Sequence, residues 1–520
     1  MDSVNSVDSA SLLAALPPRI SAIVRAQAAR APDAPALCED GRSWSYAQLA
    51  MEIDVHAALL RQLGVRAGDR VMVVGENCVA QVALIFAAAE LDAWSVNVNA
   101  RLSSFEVDNI ARHSGARRVL YTVACSLEAR QHADACGATS VHATLMAGPL
   151  NDACRVEPVA PGNEQVAALV YTTGTTGDAK GVMLTHRNLL YVATVSSALR
   201  GLNPADRAYG VLPISHVYGL ASVMLGTLCA GACLVLAPRF SSDAMLRAIT
   251  DDALTILQGV PAMYARLLEL VGAPASSTAL ASQLRFMYAG GSPLDSTLKQ
   301  QVEQLFGLAL HNGYGMTETS PTVSQTRLDT PRADTSVGTP IPGVEVRIVH
   351  AGDVAVAPGE TGELWVRGPN LMKGYYRAQA QTEACMRPGG WLNTGDLARQ
   401  GPDGALFIVG RTRELIIRSG FNVYPQEVEA ALNAHPGVRQ SAVVGRTVAG
   451  GNEEVVAFVE LDADHRPSVQ QLVDYLAQQL SPYKRPSEIV VMPALPAAAT
   501  GKILKGQLKA LAQNTPVTKK

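Results

Sequence analysis

Val166-Ala-Ala-Leu-Val170, followed directly by Tyr171-Thr-Thr-Gly-Thr-Thr-Gly-Asp-Ala-Lys-Gly-Val182, joins an apolar run to a loop of glycines, hydroxyls and one lysine. The apolar run predicts a buried strand. Glycine lets the backbone turn and approach a ligand closely, so that successive N–H groups can face phosphate oxygens. The threonine hydroxyls add further donors, and Lys180 adds a positive charge. This combination suits the binding of a nucleotide triphosphate.

The glycine spacing excludes the two common phosphate loops. A Walker loop needs Ser or Thr directly after its lysine, and here Gly181 follows Lys180. The dinucleotide pattern Gly-x-Gly-x-x-Gly is absent, because the glycines fall at 174, 177 and 181. The alternative interpretation is an ordinary surface turn, which Gly/Thr clusters often form. The remaining motifs favour the phosphate loop.

The composition indicates a globular enzyme with more than one domain. The chain has 520 residues, too many for one ordinary core, and 48% of them are hydrophobic against 17% charged. The net charge of −3 and the aromatic content of 5% argue against a nucleic-acid partner. Cys229 and Cys233 have no second pair to complete a metal set, so the eight cysteines are expected to be free thiols in a reducing compartment.

The sequence predicts a cytoplasmic protein without a membrane span. Met1-Asp-Ser-Val-Asn-Ser-Val-Asp8 carries an early acid and no basic region, unlike a secretory signal. The most apolar long stretch, Val217–Pro238, is interrupted by glycines and is interpreted as core.

Strand-like and helix-length segments alternate up to residue 340, for example Arg70–Val74 and then Val79–Leu91. This rhythm predicts an α/β fold with helix-covered, mostly parallel sheets. Short strands and Gly/Pro turns from about 338 to 410 predict a small β unit. A further break near Gly410 opens an α+β segment. We therefore expect a large domain over 1–410 and a small, mobile C-terminal domain over 411–520.

Four more segments carry chemistry that suits a nucleotide. Asn312-Gly-Tyr-Gly-Met-Thr-Glu-Thr319 offers an aromatic face and oxygens for phosphate and Mg²⁺. Trp391-Leu-Asn-Thr-Gly-Asp396 ends in a carboxylate for ribose hydroxyls, and Gly410-Arg411 adds a cation. Ala499-Thr-Gly-Lys-Ile503 places a lysine in a glycine turn. Each segment alone is also a common turn, so it is their combination that carries the argument.

In this order and spacing, the segments resemble the adenylate-forming superfamily of acyl-CoA synthetases, luciferases and peptide-synthetase adenylation domains. The character is closest to 4-coumarate–CoA ligase-like and aryl or acyl-CoA ligases, and the resemblance covers essentially the whole chain. It implies an ATP-dependent acid–CoA ligase that forms an acyl-adenylate with release of pyrophosphate and then transfers the acyl group to CoA with release of AMP. It also implies ATP, Mg²⁺ and coenzyme A as cofactors.

The resemblance assigns a role to each matched residue. Glu318 is expected to hold Mg²⁺, and Lys502 to bridge the carboxylate and the α-phosphate. The residues expected to act in catalysis are Lys502, His216, Thr317 and Arg411. The residues expected to bind ATP are Thr172, Thr173, Gly174, Thr175, Thr176, Gly177, Lys180, Gly291, Ser292, Asn312, Gly313, Tyr314, Thr317, Asp396, Arg411 and Lys502.

Pro213-Ile-Ser-His-Val-Tyr-Gly219 resembles the segment that lines the carboxylate pocket; the alternative is a buried polar pair in the core. The residues expected to bind the acid are His216, Tyr218, Tyr288, Gly290, Gly315 and Pro321. The small residues 289–291 leave room for a flat or extended group. No arginine is evident for a second carboxylate, which disfavours a dicarboxylate such as malonate. Aryl or phenylpropenoic acids are expected first, and medium-chain fatty acids second.

The C-terminal segments resemble those of acyl-CoA ligases, with Ser419, Gly420 and Arg485 expected to bind CoA and Arg413 expected to act as the hinge. The chain departs from the family pattern in several places: Thr173 and Ala179 stand for the usual Ser and Pro, Arg413 for Asp or Lys, and Gly450-Gly-Asn452 for an aromatic beside the CoA adenine. A stand-alone adenylation enzyme that loads a separate carrier protein is therefore the alternative. A luciferase-type oxygenase and a non-enzymatic adenylate sensor are disfavoured, and a monomer or homodimer is expected.

Overall fold

The computed structural model describes residues 9–173, 179–272, 282–350, 352–418, 421–448, 452–462, 465–497 and 503–514. The strands within these ranges are β1 Pro35–Glu39, β2 Arg42–Ser45, β3 Arg70–Gly75, β4 Trp94–Asn99, β5 Arg118–Tyr121, β6 Thr139–His142, β7 Leu145–Ala147, β8 Val166–Thr173, β9 Ala179–Thr185, β10 Arg207–Gly210, β11 Cys233–Leu236, β12 Ile256–Gly259, β13 Phe286–Ala289, β14 Leu310–Gly315, β15 Thr322–Gln325, β16 Thr339–Pro340, β17 Glu345–His350, β18 Val354–Ala355, β19 Gly362–Arg367, β20 Gly374–Tyr375, β21 Met386–Arg387, β22 Trp391–Gln400, β23 Leu406–Arg411, β24 Ile416–Arg418, β25 Phe421–Val423, β26 Val438–Thr447, β27 Glu453–Leu461 and β28 Glu488–Met492.

Many helices are preceded by Ser, Thr or Asp, whose side chains accept from the free N–H groups of the first turn. Two others begin with Pro, which has no backbone N–H. The bounds of the helices within the described ranges are α1 Ser9–Ala15, α2 Ala22–Arg30, α3 Tyr46–Gln62, α4 Val79–Glu90, α5 Ser104–Ser114, α6 Leu127–Ala135, α7 His186–Leu199, α8 Gly226–Cys229, α9 Ser242–Thr250, α10 Pro261–Val271, α11 Ser296–Phe306, α12 Gln379–Cys385, α13 Pro425–Asn433, α14 Val469–Gln479 and α15 Lys505–Asn514. Every helix of the described residues is too short or too polar to span a bilayer.

Two large sheets form the body of the molecule. The first has eight strands in the order β20-β9-β8-β4-β3-β5-β7-β6, and its central strands β8, β4, β3 and β5 run parallel. The second has nine strands in the order β16-β15-β14-β13-β12-β10-β11-β1-β2, and it is parallel from β14 to β1. Antiparallel strands close the edges of both sheets. The predicted parallel architecture is confirmed.

The main core joins the two sheets through buried helices. Helix α4 is apolar on all sides, as is typical of a helix surrounded by protein. Its Phe86 belongs to the same buried cluster as Val71 of β3 and Leu257 of β12. The glycine-interrupted stretch Val217–Pro238 is also core: it forms a buried π-helical segment, Tyr218–Leu225, which leads into α8 and β11.

Helix α7 connects the first sheet to the second. It begins with a capping box, in which Thr185 at the end of β9 and Asn188 satisfy each other's backbone N–H groups. It ends at Arg200, so a cation lies at the negative end of the helix dipole. The sequence of β9 thereby fixes where α7 starts, and α7 carries Arg200 to the second sheet.

A small β unit and a C-terminal α+β unit complete the chain. In the β unit the order is β18-β17-β19-β22-β21, with β23 added on β22, and all of these pairings are antiparallel. The C-terminal unit holds β24-β25 and β26-β27-β28. Its two apolar clusters draw all their members from residues 416–512. The predicted fold class is confirmed, and the domain boundary at 410/411 stays a prediction.

Candidate active site

The described residues on either side of the segment 174–178 form a β-hairpin. β8 runs on to Thr173 and β9 returns from Ala179, so that Thr172 pairs with Lys180 across the hairpin. The predicted strand Val166–Val170 is confirmed, but it is longer than expected, and β9, one of its two partners, is antiparallel. The predicted site residues that lie outside the described residues are Gly174, Thr175, Thr176, Gly177, Ser419, Gly420 and Lys502.

Lys180, Tyr375 and Glu318 form one cluster beside this hairpin. β20 pairs with β9 and thereby brings Tyr375 to within 5.3 Å of Lys180, measured from the ring centroid to Nζ. The Tyr375 hydroxyl donates to Oε1 of Glu318 at 2.7 Å. Burial, and then the neighbouring Glu318, raise the pKa of Tyr375, so its hydroxyl stays protonated and remains a donor. The cluster thus combines a cation, a fixed donor and a carboxylate.

Glu318 fits the requirements of a magnesium ligand. Mg²⁺ prefers hard oxygen donors and commonly binds through one or two carboxylates together with substrate phosphates. Glu318 is only 8% exposed and follows Thr317 in the short turn Thr317–Thr319. The structure therefore places a buried carboxylate next to Tyr375, whose ring lies close to Lys180.

A second cluster joins Tyr314, Asp396 and Arg411. The Tyr314 hydroxyl donates to Oδ2 of Asp396, and Nε of Arg411 lies 3.2 Å from Oδ1. Asp396 and Arg411 stand opposite each other on the antiparallel strands β22 and β23. Burial, followed by the charge of Asp396, raises the pKa of Tyr314 well above its usual value. Three of the predicted ATP ligands are therefore brought together, around a carboxylate that is 5% exposed.

The carboxyl ends of β13 and β14 carry the residues that the family resemblance assigns to the adenine, which are Gly290, Gly291, Ser292 and Asn312 to Tyr314. Ala289 and Asn312 are in register, and the Asn312 amide donates to the Thr335 and Ser336 carbonyls at 3.2 and 3.4 Å. Gly291, which precedes the half-buried Ser292, has a φ of +82°, a conformation that favours glycine. The predicted adenine residues Gly291, Ser292, Asn312 and Gly313 thus lie on adjacent strands and their loops.

Tyr218, Tyr288 and Gly290, three of the residues predicted to bind the acid, lie in contact with one another. The rings of Tyr218 and Tyr288 meet edge to face, with centroids 6.2 Å apart. A Cβ built on Gly290 would lie 3.1 Å from Tyr288 Cε1 and 3.3 Å from Tyr218 Cε1, so this glycine borders both rings. His216 is next to Tyr218, whose backbone N–H donates to His216 Nδ1 at 3.3 Å.

The acyl and nucleotide residues are contiguous. A Cβ on Gly313 would overlap the Tyr288 hydroxyl, and a Cβ on Gly315 would overlap the Pro321 carbonyl oxygen. Only glycine permits these approaches, because any larger residue would displace the aromatic ring or the backbone. The Gly315–Pro321 contact closes the turn that carries Thr317 and Glu318. The residues predicted to bind the acid are therefore adjacent to the turn predicted to bind phosphate and Mg²⁺.

Arg413 and Arg485 are the predicted hinge and CoA residues of the C-terminal unit that the structure describes. Arg413 lies in the exposed turn Thr412–Glu414, and Lys505 Nζ ties this turn to α13 by approaching Glu414 Oε2 at 3.3 Å and Glu429 Oε1 at 2.7 Å. Arg485 donates to the Leu480 and Ala477 carbonyls, each at 2.8 Å, at the end of α14. A helix C-terminus is a favourable place for a cation, so Arg485 has a structural role beside its predicted CoA contact.

Two residues that shape the site were not predicted from the sequence. Tyr375 orders Glu318 and contacts Lys180; its signal was the aromatic pair in Lys373-Gly-Tyr-Tyr376. Asn77 donates to the Gly210 and Leu212 carbonyls at 2.8 and 2.9 Å and accepts from Ile214 N at 2.9 Å, which fixes the segment before His216. Nothing local marks Asn77, because its partners are more than 130 positions away in sequence.

The fold and these clusters define an adenylate-forming enzyme. A profile of the AMP-binding enzyme family matches residues 24–376, and a profile of the AMP-binding enzyme C-terminal domain matches residues 427–502. The chain belongs to this family. It is 34% identical to a feruloyl-CoA synthase from Amycolatopsis sp over 487 residues, which cover 93% of this chain and 97% of the relative.

Solved structures agree with this assignment. ATP-bound MatB from Rhodopseudomonas palustris superimposes with a TM-score of 0.85 at 28% identity, covering 96% of this chain and 99% of MatB. The anthranilate CoA ligase AuaEII in complex with anthranoyl-AMP has a TM-score of 0.85 at 25% identity, covering 96% and 98% of the two chains. The protein is an AMP-forming acid–CoA ligase that uses a carboxylic acid, ATP, Mg²⁺ and CoA. The predicted family, enzyme class and cofactors are confirmed.

Proposed function

We propose that the acid is an aryl or phenylpropenoic acid. The observation that carries this proposal is the pair of tyrosines, Tyr218 and Tyr288, whose rings meet edge to face beside Gly290. Aromatic rings prefer edge-to-face or offset contacts with other rings, so a flat acyl group packs against these rings better than a flexible chain. The feruloyl-CoA synthase relative and the anthranoyl-AMP complex support the same class of acid. A medium-chain fatty acid is the second candidate.

The first half-reaction brings two anions together. The acid's carboxylate oxygen attacks the α-phosphorus of ATP, the bond to the β-phosphate breaks, and pyrophosphate leaves with the electron pair. We assign residues 172–180, including Lys180, to the β- and γ-phosphates. Thr317 would contact the α-phosphate, and Lys502 would bridge the carboxylate and the α-phosphate and offset their charge. Mg²⁺ bound at Glu318 would supply further positive charge. Such preorganised charges are worth most in a water-excluded site.

Asp396 would hold the nucleotide in place. Its carboxylate accepts from Tyr314 and pairs with Arg411, so it is fixed before ATP arrives. Carboxylate oxygens accept hydrogen bonds from ribose hydroxyls without moving, and Gly291, Ser292, Asn312 and Gly313 would frame the adenine. This arrangement lowers the entropic cost of orienting the α-phosphate towards the acid.

The second half-reaction transfers the acyl group to a thiol. The sulfur of CoA attacks the acyl carbon, the bond to AMP breaks, and AMP leaves with the electron pair. We assign Ser419 and Gly420 to the pantetheine tunnel and Arg485 to the CoA phosphates. With a domain boundary at 410/411, residues 411–520 could rotate about Arg413. This rotation would move Lys502 away from the adenylate and bring the proposed CoA-binding residues to it. Domain motions of this kind typically take about microseconds to milliseconds.

The remaining assignments concern partners and location. Gly450-Gly-Asn452 replaces the aromatic that some relatives place near the CoA adenine, so a carrier-protein thiol is the alternative acceptor. A cytoplasmic location and a monomeric or homodimeric state are proposed from the sequence composition alone.

The test is pyrophosphate release across a panel of benzoic, phenylpropenoic and C4–C12 fatty acids, each with and without CoA. We expect CoA-dependent turnover of phenylpropenoic acids and weak turnover of fatty acids. Turnover of fatty acids alone would overturn the aryl assignment. Pyrophosphate release that CoA does not accelerate would point to a carrier protein as the acceptor.

A further inference from the structure

Arg200 is a buried cation at the inner side of the proposed acyl pocket. It caps the C-terminus of α7 and is 1% exposed. Its guanidinium carbon lies 4.4 Å from the centroid of the Tyr288 ring. Its Nη1 donates to Gln258 Oε1 at 2.6 Å and approaches the Ser222 carbonyl oxygen at 3.5 Å. Arg200 therefore contacts Tyr288 and also the helical segment Tyr218–Leu225, which carries Tyr218.

No carboxylate of the described residues lies within ion-pair distance of Arg200. Buried charges in proteins are normally paired, because an unpaired charge loses its hydration without compensation. Arg70 is equally buried and shows the usual solution: it donates to the carbonyls of Gly68, Ser114, Gly115 and Arg155, and Glu157 lies 4.0 Å away. Arg200 has far fewer acceptors than Arg70.

The polar groups around Arg200 also lack hydrogen-bond partners. Within the described part of the chain, four buried atoms at this place are unpaired: Arg200 Nε, Tyr218 OH, Ser222 Oγ and Gln258 Nε2. Gln258 is in register with Tyr288 on the neighbouring strand, and Ser222 is four residues after Tyr218 on the same helical segment. Native proteins leave few such groups unsatisfied, and where they do, a ligand or ordered water is the usual explanation.

We propose that Arg200 and these neighbouring groups form a polar subsite which reads an oxygen acceptor at the end of the acid distant from its carboxylate, such as a phenolic hydroxyl. This inference rests on the proposed aryl or phenylpropenoic substrate. Arg200 supplies positive potential, and its unpaired Nε, with Tyr218 OH and Gln258 Nε2, supplies donors. A site built to bind a hydroxyl rejects an analogue that lacks it, because its own polar groups then stay unpaired. Arg200 is thereby a determinant of acyl specificity that the sequence analysis did not find.

Arg200 also bears on the expectation that the acid has no second carboxylate. No arginine was predicted near the acid, because Arg200 lies 90 positions before Gly290 and in no motif. In the structure the pocket does have a cation behind its aromatic wall. A neutral oxygen acceptor remains the assigned ligand, because Arg200 already uses Nη1 to donate to Gln258 and the Ser222 carbonyl.

The test compares 4-hydroxycinnamate with 4-methylcinnamate, whose methyl group has nearly the size of the hydroxyl but accepts no hydrogen bond. For the unmodified enzyme with ATP, Mg²⁺ and CoA, we expect kcat/KM to favour the hydroxyl compound by about tenfold or more, as for hydrogen bonds to charged groups. Arg200→Met should bring this ratio close to one, and Tyr218→Phe should lower it in part. Arg200→Lys, which keeps the charge, should retain more of the ratio than Arg200→Met.

The ratio does not depend on how much of a variant is folded, because both acids are measured on the same sample. A ratio near one for the unmodified enzyme would overturn the subsite, as would an Arg200→Met variant with an unchanged ratio. Both failures leave the two cinnamates as substrates and so spare the proposed function. Absence of turnover with both cinnamates would instead overturn the phenylpropenoic assignment and the subsite with it.

Discussion

The nucleotide side of the site and its acyl side differ in how their polar groups are satisfied. On the nucleotide side, Asp396 is held by Tyr314 and Arg411, and Glu318 is held by Tyr375. On the acyl side, the hydroxyl of Tyr218 and the Nε of Arg200 are buried without a partner. In the first region the two carboxylates already have partners, whereas the second region has buried donors without a partner.

This difference follows from what each side must recognise. Every reaction of the family uses ATP, so a preorganised nucleotide site lowers the barrier for all acids alike. The acid differs between relatives, and unpaired buried donors favour an acid that supplies the missing acceptor. We therefore expect changes on the nucleotide side to affect all acids by the same factor and changes on the acyl side to alter the ratio between acids.

The largest effect is expected from Lys502→Ala. Removal of the proposed bridging cation should lower pyrophosphate release by about a hundredfold to a thousandfold with every acid. Thioester formation from supplied acyl-AMP and CoA should stay largely intact, since Lys502 is assigned to the first half-reaction. Stopped-flow or quenched assays of the two half-reactions measure this, and loss of both would contradict the proposed exchange of domain faces.

Asp396→Asn tests the nucleotide side within the described residues. The neutral amide keeps the shape but loses the charge that Arg411 and the ribose hydroxyls contact, so KM for ATP should rise about tenfold. The factor should be equal for cinnamates and fatty acids. Asp403→Asn is a suitable control, because Asp403 pairs with Arg332 at the exposed turn between β22 and β23. If Asp396→Asn changed the ratio of kcat/KM between cinnamates and fatty acids, the proposed difference between the nucleotide side and the acyl side would be contradicted.

Gly290→Ala tests the acyl side. The new Cβ would lie 3.1 and 3.3 Å from the rings of Tyr288 and Tyr218, which is tighter than ordinary contact. We expect kcat/KM for phenylpropenoic acids to fall about tenfold and that for short unbranched acids to fall less. Gly506→Ala on α15, where a Cβ meets no atom within 4 Å, is the matched control. Equal losses for all acids would place Gly290 outside the acyl pocket.

The smallest effect is expected from Tyr375→Phe. This change removes the hydrogen bond to Glu318 but keeps the ring beside Lys180. A hydrogen bond to a carboxylate contributes about 1.5–3 kcal/mol, but Tyr375 only orients Glu318, so we expect part of this to be lost and the Mg²⁺ concentration for half-maximal rate to rise about two- to tenfold. Titration of activity with Mg²⁺ at saturating ATP measures it. An unchanged Mg²⁺ requirement would remove Tyr375 from the metal site.

The sequence predicted the fold class because strand and helix periodicities are local. It also pointed to Tyr314, Asp396 and Arg411, which lie in short motifs, but not to their contact, which depends on the register of β22 against β23. The antiparallel return of β9 was missed, since the loop after Val170 resembles any strand-to-loop transition. Arg200 and Asn77 could not be found, because each acts through residues far away in sequence.

The most direct test of the account is a single-turnover experiment with enzyme in excess over 4-hydroxycinnamate, in the presence of ATP and Mg²⁺. The account predicts that enzyme-bound 4-hydroxycinnamoyl-AMP and pyrophosphate accumulate without CoA, and that added CoA converts the adenylate to the thioester with release of AMP. Mass spectrometry of the quenched mixture identifies each species. Thioester formation without an adenylate, or an adenylate that CoA does not consume, would contradict the account.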